Sequence, residues 1–565
     1  MYILGFNSTH DASAALVRDG EIVCAVEEER FSRKKHHYGP PDQAIKACLD
    51  YGGITFADVD RVAFYWNPWK GLLSFGWHVL RNLPKSRAYF ERQPDIWGSF
   101  RKLPKLMKEK YGFDGPFHFL DHHQNHMASA FWPSGFEDAA AMTVDGTGEW
   151  ETTVLADIDR SGRIKVLDSH KYPHSIGKLW ESMTQYLGFR PNSGEGKVMG
   201  LAPYGRPDLV EKFRDLIHPK PDGRFRLNLR YFDFQYGRKR KYSDLMLETF
   251  GPARDPESEV EPRHEDVAYA LQLVTEERLL ALANRLHELT GKKRLVMAGG
   301  VSLNSVANGV ISRQSSFEQI FVQPSAGDAG AALGAALRVW HEVLGHGTEG
   351  RHVMTNAYLG PSYPDEELRA AAESAGIPFH RSENVSDEAA ERLTRGEILG
   401  WFQGRMEYGP RALGNRSILA DPRNPEMKDI LNARVKHREG FRPFAPAIID
   451  ERTDEFFMTN GARAPYMLKV FDVWPDKRDV IPSVTHVDGS ARVQTVARDA
   501  NPRYYDLIKA FGEKTGVPVV INTSFNIRSE PIVCTPADAV RCFLGTGIDT
   551  LFLGDYVLSK PEAAR

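Results

Sequence analysis

The chain has 565 residues, with 72 Lys plus Arg against 75 Asp plus Glu and a formal charge of -3. That near-balance argues against a dedicated nucleic-acid coat or membrane-surface binder, both of which carry a clear basic excess, though it leaves room for a local basic patch. The length suits two to four domains, and 42% apolar with 26% charged residues is a globular composition. Cys24, Cys48, Cys534 and Cys542 form no CxxC pair, so neither a disulfide scaffold nor a Cys-ligated zinc is expected. The opening MYILGFNSTH is short for a signal peptide and lacks a basic start, and no apolar run of about 18 residues occurs. The expectation is a cytoplasmic enzyme with small-molecule partners, no nucleic acid and no membrane.

Tyr2-Ile3-Leu4-Gly5-Phe6 reads as a buried strand, followed by the polar tip Asn7-Ser8-Thr9-His10-Asp11 and a hairpin through Arg18-Asp19-Gly20. The same design returns at Ala141-Met142-Thr143-Val144, with the tip Asp145-Gly146-Thr147-Gly148-Glu149 and a hairpin through Asp159-Arg160-Ser161-Gly162. This looks like an internal duplication and resembles the actin-like ATPase (ASKHA) plan of two related lobes. Between the two units lies an insertion, Trp66 to Lys110. It interleaves Trp66, Trp69, Trp77 and Trp97 with Lys70, Arg81, Lys85, Arg87, Arg92, Arg101, Lys102 and Lys105. It predicts either a helical hairpin packing its Trp residues inward or a surface that stacks a base or sugar.

His122 and His126, four apart on a helix, put both imidazoles on one face, which suits two ligands of one transition metal. Unlike HExxH, no glutamate lies between them. A carboxylate from elsewhere is needed, and Asp328, between glycines at a strand-to-helix turn, is of the right kind; its alternative is a helix cap. The Asp145-Gly146-Thr147-Gly148 tip permits close backbone approach to phosphate, and its acid can hold metal or water. Gly194-Glu195-Gly196-Lys197 and Gly299-Gly300-Val301-Ser302-Leu303-Asn304 are further glycine turns of this kind. Neither Walker A nor GxGxxG fits. Arg238 to Lys241 reads as a solvated loop, and residues 253 to 266 as an exposed connection. Ala268, Leu271, Thr275, Leu279, Leu282, Leu286 and Leu289 mark one face of a long helix.

Residues 345 to 351 form the best linker, after which a second α/β domain begins, with the boundary near residue 355. It carries a dense group of cations. Arg405, Arg411, Arg416, Lys436, Arg438, Arg442 and Arg492 sit among Gly, Pro and Phe, a setting that suits bidentate phosphate binding better than solvated surface. Structural ion pairs with Glu407 and Glu439 are the alternative.

The ordered motifs His10-Asp11-Ala12-Ser13, Glu28-Glu29-Arg30-Phe31, His122-His123-Gln124-Asn125-His126 and Gly196-Lys197-Val198-Met199-Gly200-Leu201-Ala202-Pro203-Tyr204-Gly205 carry a resemblance. It continues through Gly327-Asp328, Arg411-Ala412-Leu413-Gly414-Asn415-Arg416, Lys436 to Pro446 and Asn522-Thr523-Ser524-Phe525-Asn526. Together they resemble the O-carbamoyltransferases of nodulation, cephem, aminoglycoside and ansamycin biosynthesis, over nearly the whole chain.

The resemblance implies a TsaD-like ASKHA domain over residues 1–355 and a YrdC-like α/β domain over 356–565. It implies ATP and carbamoyl phosphate as co-substrates, carbamoyl adenylate as intermediate, and a natural-product hydroxyl as acceptor. Lys436 and Arg442 match its catalytic carbamoyl-phosphate cations, with Arg411, Arg492, Asn522 and Ser524 in the carbamoyl phosphate and ATP site. Asp145, Gly146, Gly148, Lys197, Gly299, Gly300 and Asn304 fall to the adenylate. His122, His126 and Asp328 match metal ligands for iron(II), though the set also suits zinc or manganese; magnesium would accompany ATP. His10 matches a general base. One departure is Ser529, where many relatives have glycine, which leaves the role of Arg528 open. The rival reading is a tRNA threonylcarbamoyladenosine enzyme, built from the same domain types.

Overall fold

A computed structural model describes residues 1–92, 96–256 and 258–561; the side chains of Arg92 and Trp97 lie outside what is described. The chain forms two compact units, Met1–Val23 with Tyr38–Val353, and Cys24–His37 with Met354–Arg565. The second unit thus begins close to the sequence boundary and also takes in a segment near the N-terminus.

The first unit holds two five-stranded sheets. One contains β1 (Tyr2–Asn7), β2 (Ser13–Arg18), β3 (Glu21–Glu27), β4 (Arg61–Phe64) and β5 (Phe117–Phe119), in the order β3-β2-β1-β4-β5. β1 pairs antiparallel with β2 and parallel with β4, and β4 pairs parallel with β5. The other contains β6 (Ala139–Val144), β7 (Glu151–Ile158), β8 (Ile164–Lys171), β9 (Arg294–Ala298) and β10 (Gln319–Val322), in the order β8-β7-β6-β9-β10. β6 pairs antiparallel with β7 and parallel with β9, which pairs parallel with β10. Strand for strand the order is the same, so the duplication read from two hairpins extends to the whole sheet. β6 is buried along its full length, as an apolar run covered on both faces should be.

The helices add detail that periodicity alone does not carry. The insertion forms α1 (Leu72–Arg81) and three further short helices, Arg87–Arg92, Ile96–Arg101 and Leu103–Tyr111. A hairpin with inward Trp residues is not what forms: Trp69 and Trp77 are 56% and 68% exposed. α2 (His122–Ser134) carries the His pair. α3 (Pro262–Thr290) carries the long apolar face, and it starts earlier than the apolar spacing indicates. His264 and Asp266 are buried on it, and Arg254 is buried upstream with its guanidinium 4.7 Å from the Phe189 ring, so 253 to 266 is not an exposed connection. α4 (Asp328–Arg338) packs on α2 at a glycine: a Cβ on Gly334 would lie 1.8 Å from Asn125 O.

The second unit is built on one eight-stranded sheet. Its strands are β11 (Phe379–Arg381), β12 (Leu399–Phe402), β13 (Arg416–Ala420), β14 (Ala445–Ile449), β15 (Gln494–Val496), β16 (Val519–Ser524), β17 (Thr550–Leu553) and β18 (Tyr556–Ser559), ordered β11-β18-β17-β12-β13-β16-β14-β15. Successive residues alternate between two cores. Ile418, Ile448, Ile521 and Leu551 enter one, and Leu419, Ala447, Val520 and Phe552 the other. Both faces are therefore covered, which explains why these strands read as continuous apolar runs.

Candidate functional site

In the first unit the tips of the two lobes and the starts of α2 and α4 supply a buried cluster. One ligand atom each from His122, His126, Asp145 and Asp328 lies within 4.8 Å of the others. The two Nε2 atoms are 3.1 Å apart, and His122 Nε2 is 2.9 Å from Asp145 Oδ2. Asp328 Oδ1 stands 3.8 and 3.7 Å from the two imidazoles. The spacing of four on α2 does what the sequence suggested, and Asp328, first residue of α4, faces the pair instead of serving as a cap.

Asp145 joins this cluster, whereas the resemblance places it with the adenylate-binding glycines. Gly300 N–H donates to its Oδ1 at 3.0 Å, which turns Oδ2 to the imidazoles. The only signal in the sequence was that an acid on such a tip can hold a metal. Gly148 has a different task from phosphate approach: a Cβ there would come within 2.9 Å of the His122 and His123 rings.

The electrostatics of this cluster suit a cation. His122 Nδ1 and His126 Nδ1 are buried with no hydrogen-bond partner among the described residues. Burial pulls the His126 pKa down, but hydrogen bonds and charge from Asp145 and Asp328 outweigh it and raise the value to about 9. Burial pushes Asp145 up, yet the two imidazoles hold it well below the usual carboxylate range. A proton on this pair does the work that a divalent cation would do among two imidazoles and two carboxylates. The donor set fits iron, zinc or manganese.

His10 sits on the first lobe's tip, which Asn7 ties down by donating to the carbonyls of His10 and Asp11 at 2.9 and 3.1 Å. Its Nδ1 is 3.1 Å from Asp11 Oδ2. Burial lowers its pKa, but Asp11, with charge from Asp328 and Asp145, raises it to about 9. Of the other glycine-turn residues, Lys197 belongs to a helix, Glu195–Leu201, with its ammonium 5.3 Å from the Phe189 ring. Asn304 caps the helix Ser305–Gln314 by accepting from Ala307 N–H at 3.1 Å. Of its turn it is Gly300, through Asp145, that reaches the cluster.

Beside the second tip lies a cavity of about 370 Å³ lined by Trp66, Phe75, Tyr89, Trp150, Tyr172 and Phe234, with Thr147, Gly148 and Glu149 from the tip itself. Glu149 Oε1 accepts from Asn67 and His122 N–H at 2.9 Å each, and its Oε2 is buried with no partner among the described residues. Lys178 and Lys241 complete the wall, sharing Glu181 at 2.7 and 3.4 Å. Lys241 is thus part of a site and not of a solvated loop, whereas Arg238 and Arg240 are exposed and pair with Asp233 and Asp244.

The second unit gathers the phosphate-site candidates. Lys436 is buried and its ammonium donates to the carbonyls of Ser524 and Asn526 and to Asn526 Oδ1. Burial, then the charges of Arg438 and Arg442 among others, drives its pKa well below the usual lysine value. Arg492 is pushed down by burial and by Arg411, Arg438 and Arg442. Burial, with Arg442, brings Arg411 to about 10, and burial with Arg442 brings Arg438 to about 9. Guanidinium stays charged at any ordinary pH, so these downward shifts mark cations that repel one another in low dielectric and call for an anion. Arg438 lies within the Lys436-to-Pro446 motif, though the resemblance gives it no role of its own.

Glu439, at 3.7 Å from Arg442 and 3.8 Å from Arg528, is one carboxylate against this excess. Glu407 contributes none, because its Oε1 accepts the backbone N–H groups of Leu413, Asn415 and Arg416. Arg416 is fully buried on the carbonyls of Gln403 and Asn415 at 2.6 and 2.9 Å, and Arg405 bonds the carbonyls of Gly360 and Leu359; both are structural. Asn522 bridges Ala412 O and Gln494 Oε1, and Ser524 Oγ donates to Asn526 Oδ1 at 2.7 Å. Ser529 has φ 68°, the left-handed region that favours glycine, so its departure from glycine is a matter of the turn.

The carbamoyltransferase N-terminus family model matches residues 2–337 and the carbamoyltransferase C-terminus model residues 390–560. An uncharacterized protein of Synechocystis sp. is 43% identical over 99% of this chain and 97% of its own length. Nodulation protein NolNO of Sinorhizobium fredii is 39% identical over 98% of this chain and 80% of its own length. Among solved structures, the activator of the 2-hydroxyisocaproyl-CoA dehydratase from Clostridium difficile overlaps 61% of this chain and 96% of its own at 13% identity and a TM-score of 0.31. The chain belongs to the carbamoyltransferase family. It is an enzyme of carbamoyl transfer.

Proposed function

We propose that this enzyme takes the carbamoyl group from carbamoyl phosphate, passes it through carbamoyl adenylate at the expense of ATP, and delivers it to a hydroxyl of a small natural product or sugar. The observation that carries the reading is the group of mutually repelling cations in the second unit, Arg411, Lys436, Arg438, Arg442 and Arg492, which lacks enough carboxylate to balance it. Phosphorylated substrates supply that balance. On this reading Lys436 and Arg442 neutralise the phosphates as carbamate attacks the α-phosphorus of ATP and pyrophosphate leaves. We read this unit as YrdC-like and the duplicated first unit as TsaD-like.

In the first unit His122, His126, Asp145 and Asp328 would hold a divalent metal, iron(II) by family resemblance. When bound, such an ion supplies Lewis acidity and charge neutralisation for a departing phosphate. His10 would accept the acceptor's hydroxyl proton as its oxygen attacks the carbamoyl carbon and AMP departs. A His10 held protonated by carboxylates cannot do this, so the base role requires Asp145 and Asp328 to be neutralised by the metal. The aromatic cavity beside Glu149 would hold the acceptor, with Phe75 and Tyr89 of the insertion as part of its wall. A volume of about 370 Å³ is at the small end of ligand pockets and suits a compact ring system better than a macrocycle.

The tRNA-modifying alternative is not favoured, since the relatives that match over most of the chain include nodulation proteins and the match runs through both family models. Incubation of the enzyme with ATP, carbamoyl phosphate and a panel of alcohols, read by mass spectrometry, tests the proposal. A carbamoylated alcohol with AMP and pyrophosphate is the expected result. Carbamoyl transfer with no AMP would refute the adenylate route.

A further inference from the structure

We propose that the outward face of α1 seats this enzyme on an anionic phospholipid surface. α1 is apolar on two sides. Its inner side places Phe75 in the cavity wall and buries Val79. Its outer side carries Leu73, Trp77 and Leu80, at steps of four and three, which are 91%, 68% and 57% exposed. Trp69 just before the helix and Leu83 just after it are also exposed. Single exposed apolar residues need no explanation, but a stripe of large ones along one helix face does.

Charge selects the occupant. From Trp66 to Lys110 the sequence has ten Lys and Arg against three Asp and Glu, a local excess of seven in a chain whose total is -3. Arg81 follows the stripe on α1 itself, and Lys85 and Arg87 come next; all three are exposed. Leucine and tryptophan flanked by cations match the acyl–headgroup boundary of an anionic leaflet, where the apolar side chains enter and the cations stay with the phosphates. A nucleic acid would use the cations and the Trp rings but would leave Leu73 and Leu80 in water. No helix among the described residues is long and apolar enough to cross a membrane, so the attachment is peripheral. The expectation of no membrane partner, drawn from overall charge balance, misses this because the rest of the chain offsets the insertion.

Co-sedimentation with vesicles tests it. Vesicles of phosphatidylcholine with phosphatidylglycerol should bind at least about 10-fold more protein than phosphatidylcholine alone, and added salt should release it. The variant L73S/W77S/L80S should lose this binding, and R81E/K85E should lose the preference for anionic vesicles. Both change exposed residues outside the cavity and should retain carbamoyl transfer to a soluble acceptor, which separates lost docking from lost folding. Failure of the wild type to sediment with either vesicle overturns the proposal. So does equal binding to both vesicles that R81E/K85E leaves unchanged. Self-association of the wild type that L73S/W77S/L80S abolishes, without vesicle binding, would assign the face to a second copy and overturn it as well.

Discussion

His122 and His126 present Nε2 atoms to each other at 3.1 Å, and two imidazoles so placed need a shared proton or a shared cation. Changing either to Ala should remove bound metal as read by elemental analysis; full occupancy in the variant would remove them as ligands. The proton alternative has a pH signature. The His126 value of about 9 in the folded protein lies above the ordinary 6.5, and His10 shifts the same way. A raised folded value stabilises fully below about pH 6.5 and loses that contribution as pH climbs through about 9. The metal-free protein should therefore melt at progressively lower temperature across that window, and metal loading should flatten the dependence. A metal-free melting temperature that rises or stays level from about pH 6.5 to 9 would contradict the assignment. In the second unit, Lys436→Ala or Arg442→Ala should lower carbamoyl-phosphate-dependent pyrophosphate release by about 100-fold or more, the order seen when a charge-stabilising donor is removed. His10→Asn should leave that release intact and slow transfer to the acceptor.

The elements explain why these side chains meet. α2 carries both imidazoles and α4 carries Asp328, and the helices approach closely because Gly334 has no Cβ to strike Asn125 O. Gly334→Ala should push the helices apart, costing about 1–3 kcal/mol of stability and weakening metal binding in an isothermal titration. Unchanged affinity would mean the two helices do not set the site's dimensions. Sequence period makes much of this legible. Four-residue spacing puts His122 and His126 on one face, and the strand–tip–hairpin pattern announces both lobes. What it does not reveal depends on contacts distant in sequence. Asp145 is turned to the imidazoles by the N–H of Gly300, and no local pattern contains that. Gly194 to Lys197 looks like a phosphate nest and is the start of a helix, because glycine permits either. Trp69 and Trp77 are outside where a packed hairpin would hold them inside, since apolar periodicity says that a face exists but not what covers it.

At the scale of the whole molecule the near-zero net charge conceals a partition. Cations gather at the insertion, where they are exposed, and at Arg411, Lys436, Arg438, Arg442 and Arg492, where they are enclosed and repel one another. The family resemblance reads this as two reactions in one chain, adenylate formation in the second unit and transfer in the first. Composition shows neither group, because it sums over them; the motif at Lys436 to Phe444 shows the second, and only the exposure of α1 shows the first. The partition is most directly tested by following pyrophosphate release from ATP and carbamoyl phosphate, with acceptor carbamoylation in the same samples, for wild type, Lys436→Ala and His122→Ala. Lys436→Ala should lose both signals, while His122→Ala should keep pyrophosphate release and lose carbamoylation. Loss of pyrophosphate release in His122→Ala, or its survival in Lys436→Ala, would contradict the two-reaction partition.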